Sequence, residues 1–265
     1  MTGKRIITGA AVVLLLTAAA CRAGCGEKSP AACKQESKDA NSVEKILNLL
    51  KKKTAELDSY QCQIEYLITQ PLFESKTLRR GILYYTKHNG PSMFRINFQT
   101  LKQDQEQEQK YNEQYIFDGV WLTYINYQSK QVKRYQQAEP NKPVDDFDLA
   151  SENLPIIGFG KIEELQKQFD ISPVEQKKVD AEKSTELHLK VKPDSIYKDN
   201  YTSINLWIDN KLTLPTKIAA VSTEEDIYQI EFLKPEVNER IDKKVFELKI
   251  PKDFSEEIIP LKEKR

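Results

Sequence analysis

From Tyr60 onward the chain alternates: Tyr60, Cys62, Ile64, Tyr66 and Ile68 take one parity, and Gln61, Gln63, Glu65, Leu67 and Thr69 the other. A period of two is the mark of a strand with one buried face. Just before it the period is different. In "NSVEKILNLLKKKTAEL", Val43, Ile46, Leu47, Leu50, Thr54 and Leu57 fall on one stripe at helical spacing, and Asn41 with Glu44 forms a capping signature. The pattern therefore predicts an amphipathic helix over 41–57 followed by a strand.

More strands follow. "GILYYTKH" and "MFRINFQ" flank the turn sequence "NGPS", and in the second Phe94, Ile96 and Phe98 share a face opposite Arg95 and Asn97. Residues 101–114 are polar and read as a loop or ragged hairpin end. "YIFDGVWLTYINYQSKQVKRY" (115–135) then carries an Asp118-Gly119 turn and apolar groups on both faces of one strand. Val120, Leu122 and Tyr124 point one way, and Trp121, Ile125 and Tyr127 the other. A strand with one wet face alternates apolar with polar, so something must cover both faces here. Either the mid-chain segment covers the second face, or inside and outside are exchanged at this hairpin.

Residues 138–170 interrupt the strands with two expected short helices flanking an apolar loop, Leu154 to Phe159. In the second helix Ile162, Leu165 and Phe169 keep helical spacing. "TELHLKVKP", "SINLWID", "PTKIAAVS", "DIYQIEFLK" and "KVFELKIP" resume the strands. Strand after strand without crossover helices predicts a mainly β (α+β) fold. It has about nine to eleven antiparallel strands in a strongly curved or partly closed sheet, with few helices to cover it.

The first twenty residues have the form of an export signal: Lys4 and Arg5, the apolar run "IITGAAVVLLLTAAA", then Cys21. At about 15 residues the run is short for a bilayer span. Two readings stand. In one, the segment is a lipobox with Ala18 where Leu is preferred, and Cys21 becomes a lipid anchor. In the other, cleavage follows Ala20 and Cys21 stays free. Residues 21–41 are polar and form a tether. The folded domain spans 42–255, and 256–265 is a polar tail. If Cys21 is acylated, Cys25, Cys33 and Cys62 are left, of which Cys25 and Cys33 are available to pair in an oxidising compartment.

Composition narrows the function. Lys+Arg and Asp+Glu balance at 40 each, which argues against a nucleic-acid binder, and 9 Gly against 12 Tyr and 10 Phe suits strands better than phosphate loops. Both histidines, His88 and His188, read as surface residues. No zinc spacing, nucleophile elbow, Walker loop or dinucleotide fingerprint is present, and no carboxylate pair stands out. The sequence calls for no enzyme and no cofactor. What it offers is an excess of large apolar groups on a sheet, read either as ordinary core or as a cavity for an apolar ligand.

The order of these segments resembles the LolA-like family of periplasmic lipoprotein carriers, whose relatives include lipid-carrying mycobacterial lipoproteins and the N-terminal domain of the sensor RseB. The elements that match run from the helix and "LDSYQCQIEY" through "GILYYTKHNGPSMFRINF", "YIFDGVWLTYINYQSKQV" and "INLWIDNKLTLPTKIAAV" to "VFELKIPKDF". The resemblance implies an unclosed half-barrel with helices over its concave face. It also implies a cavity for acyl chains of lipoproteins or lipids, with Ile64, Tyr66, Phe94, Ile96, Phe98, Trp121 and Ile125 as candidate lining. On this expectation the protein is exported to the periplasm or cell envelope and held at a membrane through Cys21, with Arg22 directing it to the outer membrane. It acts in lipoprotein sorting; an RseB-like protein-interaction role is the alternative. One departure stands out: the carriers' arginine before the turn proline is Gly90 here.

Overall fold

The computed structural model describes residues 30–87, 91–143, 150–151, 154–155 and 162–261. Helix α1 (Pro30–Ala55) leads into β1 (Ser59–Gln70), β2 (Ser75–Thr86), β3 (Met93–Gln103), β4 (Gln109–Phe117), β5 (Trp121–Asn126) and β6 (Gln131–Gln136). A short pair, β7 (Ala150–Ser151) and β8 (Leu154–Pro155), precedes α2 (Ile162–Gln168), β9 (Phe169–Pro173) and α3 (Lys178–Ala181). The chain then runs through β10 (Ser184–Val191), β11 (Tyr201–Asp209), β12 (Pro215–Ser222), β13 (Ile227–Val237) and β14 (Ser255–Ile259).

Twelve strands form one curved sheet in the order β14-β6-β5-β4-β3-β2-β1-β13-β12-β11-β10-β9. Its ends, β14 and β9, are not joined, so the sheet is open. All neighbours are antiparallel except β14, which lies parallel to β6. The described helix reaches back to Pro30, so the expected cap at Asn41 lies inside it. Proline suits a first helical turn, and no glycine or further proline interrupts "AACKQESKDANSVEK". Cys21 and Cys25 lie outside the described residues, as do His88 and Gly90 and the segments 144–149 and 156–161, where the first mid-chain helix and most of the apolar loop were expected.

Of the two alternatives for 101–114 the hairpin end holds: β3 runs to Gln103 and β4 begins at Gln109, antiparallel to it, with a turn at Asp104 in the left-handed region (φ 48). Its Glu108 pairs with Arg80 of β2 at 2.8 Å, and Arg80 also pairs with Glu65 of β1 at 2.7 Å. One other expectation needs correction. The "KVFELKIP" segment is not a strand but a 3-10 turn (Lys243–Phe246) and irregular chain. Its carbonyls are taken by a side chain: Arg95 Nη1 donates to Val245 O at 2.7 Å and to Glu247 O at 3.2 Å. The last strand comes later, inside the expected tail, where β14 closes the free edge of β6.

One face of the sheet, the inner face, carries a single large apolar cluster. Val43, Leu47 and Leu50 of α1 join Ile64, Tyr66, Leu83, Phe94, Ile96, Phe98, Leu189, Leu206, Ile218 and Ile230 in it. Leu165 of α2 and Phe169 of β9 belong to the same cluster. The outer face has a small second cluster, Ile116, Ile125 and Val132, covered by Tyr127, Ile250 and Phe254.

Candidate functional site on the inner face

Cross-strand register assembles the inner face residue by residue. Ile64 faces Gly81 and Phe232, and Gly81 faces Phe98; Leu83 faces Ile96, and Tyr85 faces Phe94. Five of the expected lining residues, Ile64, Tyr66, Phe94, Ile96 and Phe98, thus share one surface with the helix stripe, each at most 3% exposed. Aromatic contacts bind them together: Tyr66 stacks on Phe98 with centroids 6.0 Å apart, and Phe94 lies 5.6 Å from Phe117. Gly81 sits in the middle because nothing larger fits. A Cβ there would lie 2.1 Å from the Asn97 carbonyl oxygen, beside the bulge that bends β2 against β3.

Trp121 and Ile125 belong to the other face, which corrects the expectation for this hairpin. Across β4 and β5, Phe117 faces Leu122 and Tyr115 faces Tyr124, and Tyr115, Phe117 and Leu122 are in the inner cluster with Tyr124 packed against it. Ile125 is fully buried in the outer cluster, and Trp121 lies under the Arg134 guanidinium at 4.9 Å. Of the two alternatives, inside and outside are exchanged here. The outer cover comes from Ile250 and Phe254, with Phe254 edge-on to Tyr127 at 5.3 Å. The turn falls one residue later than expected, with Gly119 and Val120 between Asp118 and Trp121: Asp118 Oδ1 accepts from Val120 N and Trp121 N at 2.9 and 2.7 Å, and Gly119 takes φ 95.

At the turn end of β1–β5 the inner face becomes polar. Arg79 faces Tyr66 across β1–β2, and Glu113 faces Phe98 across β3–β4. Arg79 Nη1 donates to Glu113 Oε1 at 2.9 Å. The Tyr111 and Tyr124 hydroxyls donate to Glu113 Oε2, the latter at 3.2 Å. Burial pulls the Arg79 guanidinium down, but Glu113 and the surrounding tyrosines more than restore it, so it stays charged. Burial likewise pushes the hydroxyls of Tyr66, Tyr111, Tyr115 and Tyr124 above the ordinary phenol range and keeps them as donors.

In the sequence the polar run "YNEQY" conceals this cluster. The signal was there in the parity: Tyr111, Glu113, Tyr115 and Phe117 alternate as one face of a strand. At the same end a hollow of about 390 Å³ is lined by Asp199, Asn200, Tyr201, Ser222, Thr223, Glu224 and Tyr228.

Elsewhere the chemistry is structural. His188 Nδ1 lies 2.8 Å from Asn205 Oδ1, and Asn205 in turn donates to Glu186 at 2.7 Å. Among the described residues no group of His, Cys, Asp and Glu comes together to hold a metal ion, and no helix is long and apolar enough to cross a membrane.

No family model and no curated protein matches the chain. Solved structures do. The chain is similar to an uncharacterized conserved protein from Thermus thermophilus, at 11% identity over 82% of this chain and 99% of that one, with a TM-score of 0.48. It is also similar to a structure in the Pseudomonas aeruginosa MucA/MucB complex (12% identity, 77% of this chain and 60% of that one, TM-score 0.44). A third is a LolA superfamily protein from Nitrosomonas europaea (14% identity, 77% and 97%, TM-score 0.35). Members of the group that the order of segments resembles therefore stand among the solved structures that match. At TM-scores below 0.5, residue roles are read from this chain's own geometry.

Proposed function

We propose that the protein binds acyl chains of lipids or lipoproteins between α1 and the inner face of its open sheet, and passes them on at a membrane of the cell envelope. One observation carries this reading. The inner face is a continuous apolar and aromatic surface, and the stripe of a single long helix, packed against α2 and β9, joins the same cluster. That stripe is exchangeable on energetic grounds. Burying the stripe of Val43, Ile46, Leu47 and Leu50 is worth on the order of 10 kcal/mol, and a chain of about sixteen methylenes is worth roughly 13 kcal/mol. An acyl chain can therefore replace the helix stripe at nearly balanced free energy, as loading and release both require. The Lys51–Glu163 pair that ties α1 to α2 is solvent-exposed and adds little to the closed state.

Export through the signal segment and anchoring through Cys21 belong to the same proposal. So does a binding rather than a catalytic role. Native mass spectrometry of protein purified from membranes is the test. The reading expects a bound lipid or acylated peptide together with a diacyl adduct on Cys21. Protein that emerges empty, and stays empty after incubation with phospholipid vesicles, overturns it.

A further inference from the structure

The polar cluster at the turn end of the inner face is saturated on one side and open on the other. Glu113, 1% exposed, has both oxygens engaged, by Arg79 and by the hydroxyls of Tyr111 and Tyr124. Arg79 is different. Glu113 engages a single Nη1–H of its guanidinium, and its Nε is buried with no hydrogen-bond partner among the described residues. The side chain is 21% exposed although Nε itself is buried, and the Tyr111 ring lies 5.6 Å from the guanidinium carbon. A buried donor left unpaired is unfavourable, and an arriving acceptor relieves it.

Charge decides which acceptor. Glu113 already neutralises the guanidinium, so the site has little net attraction for an anion. Its planar donors remain, and they suit an uncharged carbonyl oxygen. The surroundings agree on the orientation. Tyr66 and Phe98, stacked beside Arg79 and Glu113, continue directly into Ile64, Ile96 and Phe94. Across β1–β13 Tyr66 faces Ile230 and Ile68 faces Tyr228, which with Tyr201, 6.3 Å away ring to ring, lines the hollow of about 390 Å³ at the same end.

We propose that Arg79, held in place by Glu113, docks the ester or amide carbonyl at the head of an acyl chain whose tail lies along Phe98, Ile96 and Phe94. The polar remainder of the ligand then lies toward the hollow at Tyr201 and Tyr228. This inference rests on the acyl-binding reading of the inner face and adds to it a head-group chemistry and a direction.

The test is displacement of a fluorescent fatty acid from the full-length protein by three ligands of matched length: methyl decanoate, decyl methyl ether and decanoate. The ester is expected to displace the probe at roughly tenfold lower concentration than the ether, the worth of one hydrogen bond to a charged donor. Decanoate is expected to do no better than the ester. Removing Arg79 alone strands a buried carboxylate, so the decisive variant is the double change Arg79→Met with Glu113→Gln, which removes both charges together. There the ester's advantage disappears while the ether's affinity stays within about twofold. Arg79→Lys, which keeps the charge but not the planar donors, loses most of the advantage without a fall in Tm. An advantage that survives in the double variant, or a wild-type protein indifferent to the carbonyl, overturns the assignment. If the probe itself fails to bind wild-type protein, the acyl reading fails and takes this proposal with it, an outcome distinct from lost ester preference.

Discussion

Cys62 shows how strongly burial controls chemistry in this molecule. Its thiol is 2% exposed and is pushed up to about 12, chiefly by burial, with the Tyr60 hydroxyl pulling slightly the other way. It is therefore a packing residue. Peptide-resolved alkylation at pH 8 should leave Cys62 unmodified in the native protein and label it at once in urea. The linkage follows from the sign of the shift. The unfolded chain ionises this thiol near its ordinary value of 9.0 while the folded chain does not, so the stability it contributes is intact below that pH and is lost as pH rises toward 12. At about pH 10.5 the loss is on the order of 2 kcal/mol. Urea melts of the wild type and Cys62→Ala should therefore converge as pH rises from 8 to that value; parallel curves would contradict it. That Cys62 faces inward was legible in the alternation from Tyr60 to Ile68. Gly81 was not, because its role depends on the Asn97 carbonyl one strand away.

The elements that the sequence misplaced are those whose partners lie far along the chain. The apolar positions of β5 were plain, but their faces were not. Ile125 needs Ile250 and Phe254 above it, and no local period announces a cover that arrives after β13. The same segment was read as a strand because "KVFELKIP" alternates. A half-buried arginine then gave its carbonyls a better partner than a ladder: Arg95 binds Val245 and Glu247 while its Nη2 and Nε donate to Gln114 and Asn97 at 2.8 and 2.7 Å. Arg95→Met should loosen this strap. Limited proteolysis is expected to cut between 240 and 255 several-fold faster, with a stability loss of about 1–2 kcal/mol. Cleavage at the wild-type rate would show that Phe254 and β14 hold the strap without Arg95. By contrast, α1 and β1 were legible because each carries its own period, although the extension of α1 back to Pro30 was not.

At the scale of the whole molecule, the open sheet has two unlike faces. The outer face is mostly polar and strapped by the C-terminal segment. The inner face gathers most of the buried large apolar groups into one cluster with the stripe of α1, with an ion pair and tyrosine hydroxyls at one end. A mainly β, strongly curved or partly closed architecture was legible from strand periodicity, and its openness from the resemblance, even though the sheet has twelve strands rather than nine to eleven and one edge pair is parallel. The polar end of the inner face was not, because a buried glutamate and a solvated one look alike until the neighbouring strands are placed. The account turns on where an acyl chain goes. Photo-crosslinking with a diazirine-tagged acyl methyl ester, followed by peptide mass spectrometry, reads that directly. The account predicts adducts on β1 and β3 at Ile64, Phe94, Ile96 and Phe98 and on the α1 stripe at Leu47 and Leu50, all competed away by unlabelled ester. Adducts confined to the outer cluster around Ile116 and Ile125, or scattered over exposed loops without competition, would contradict it.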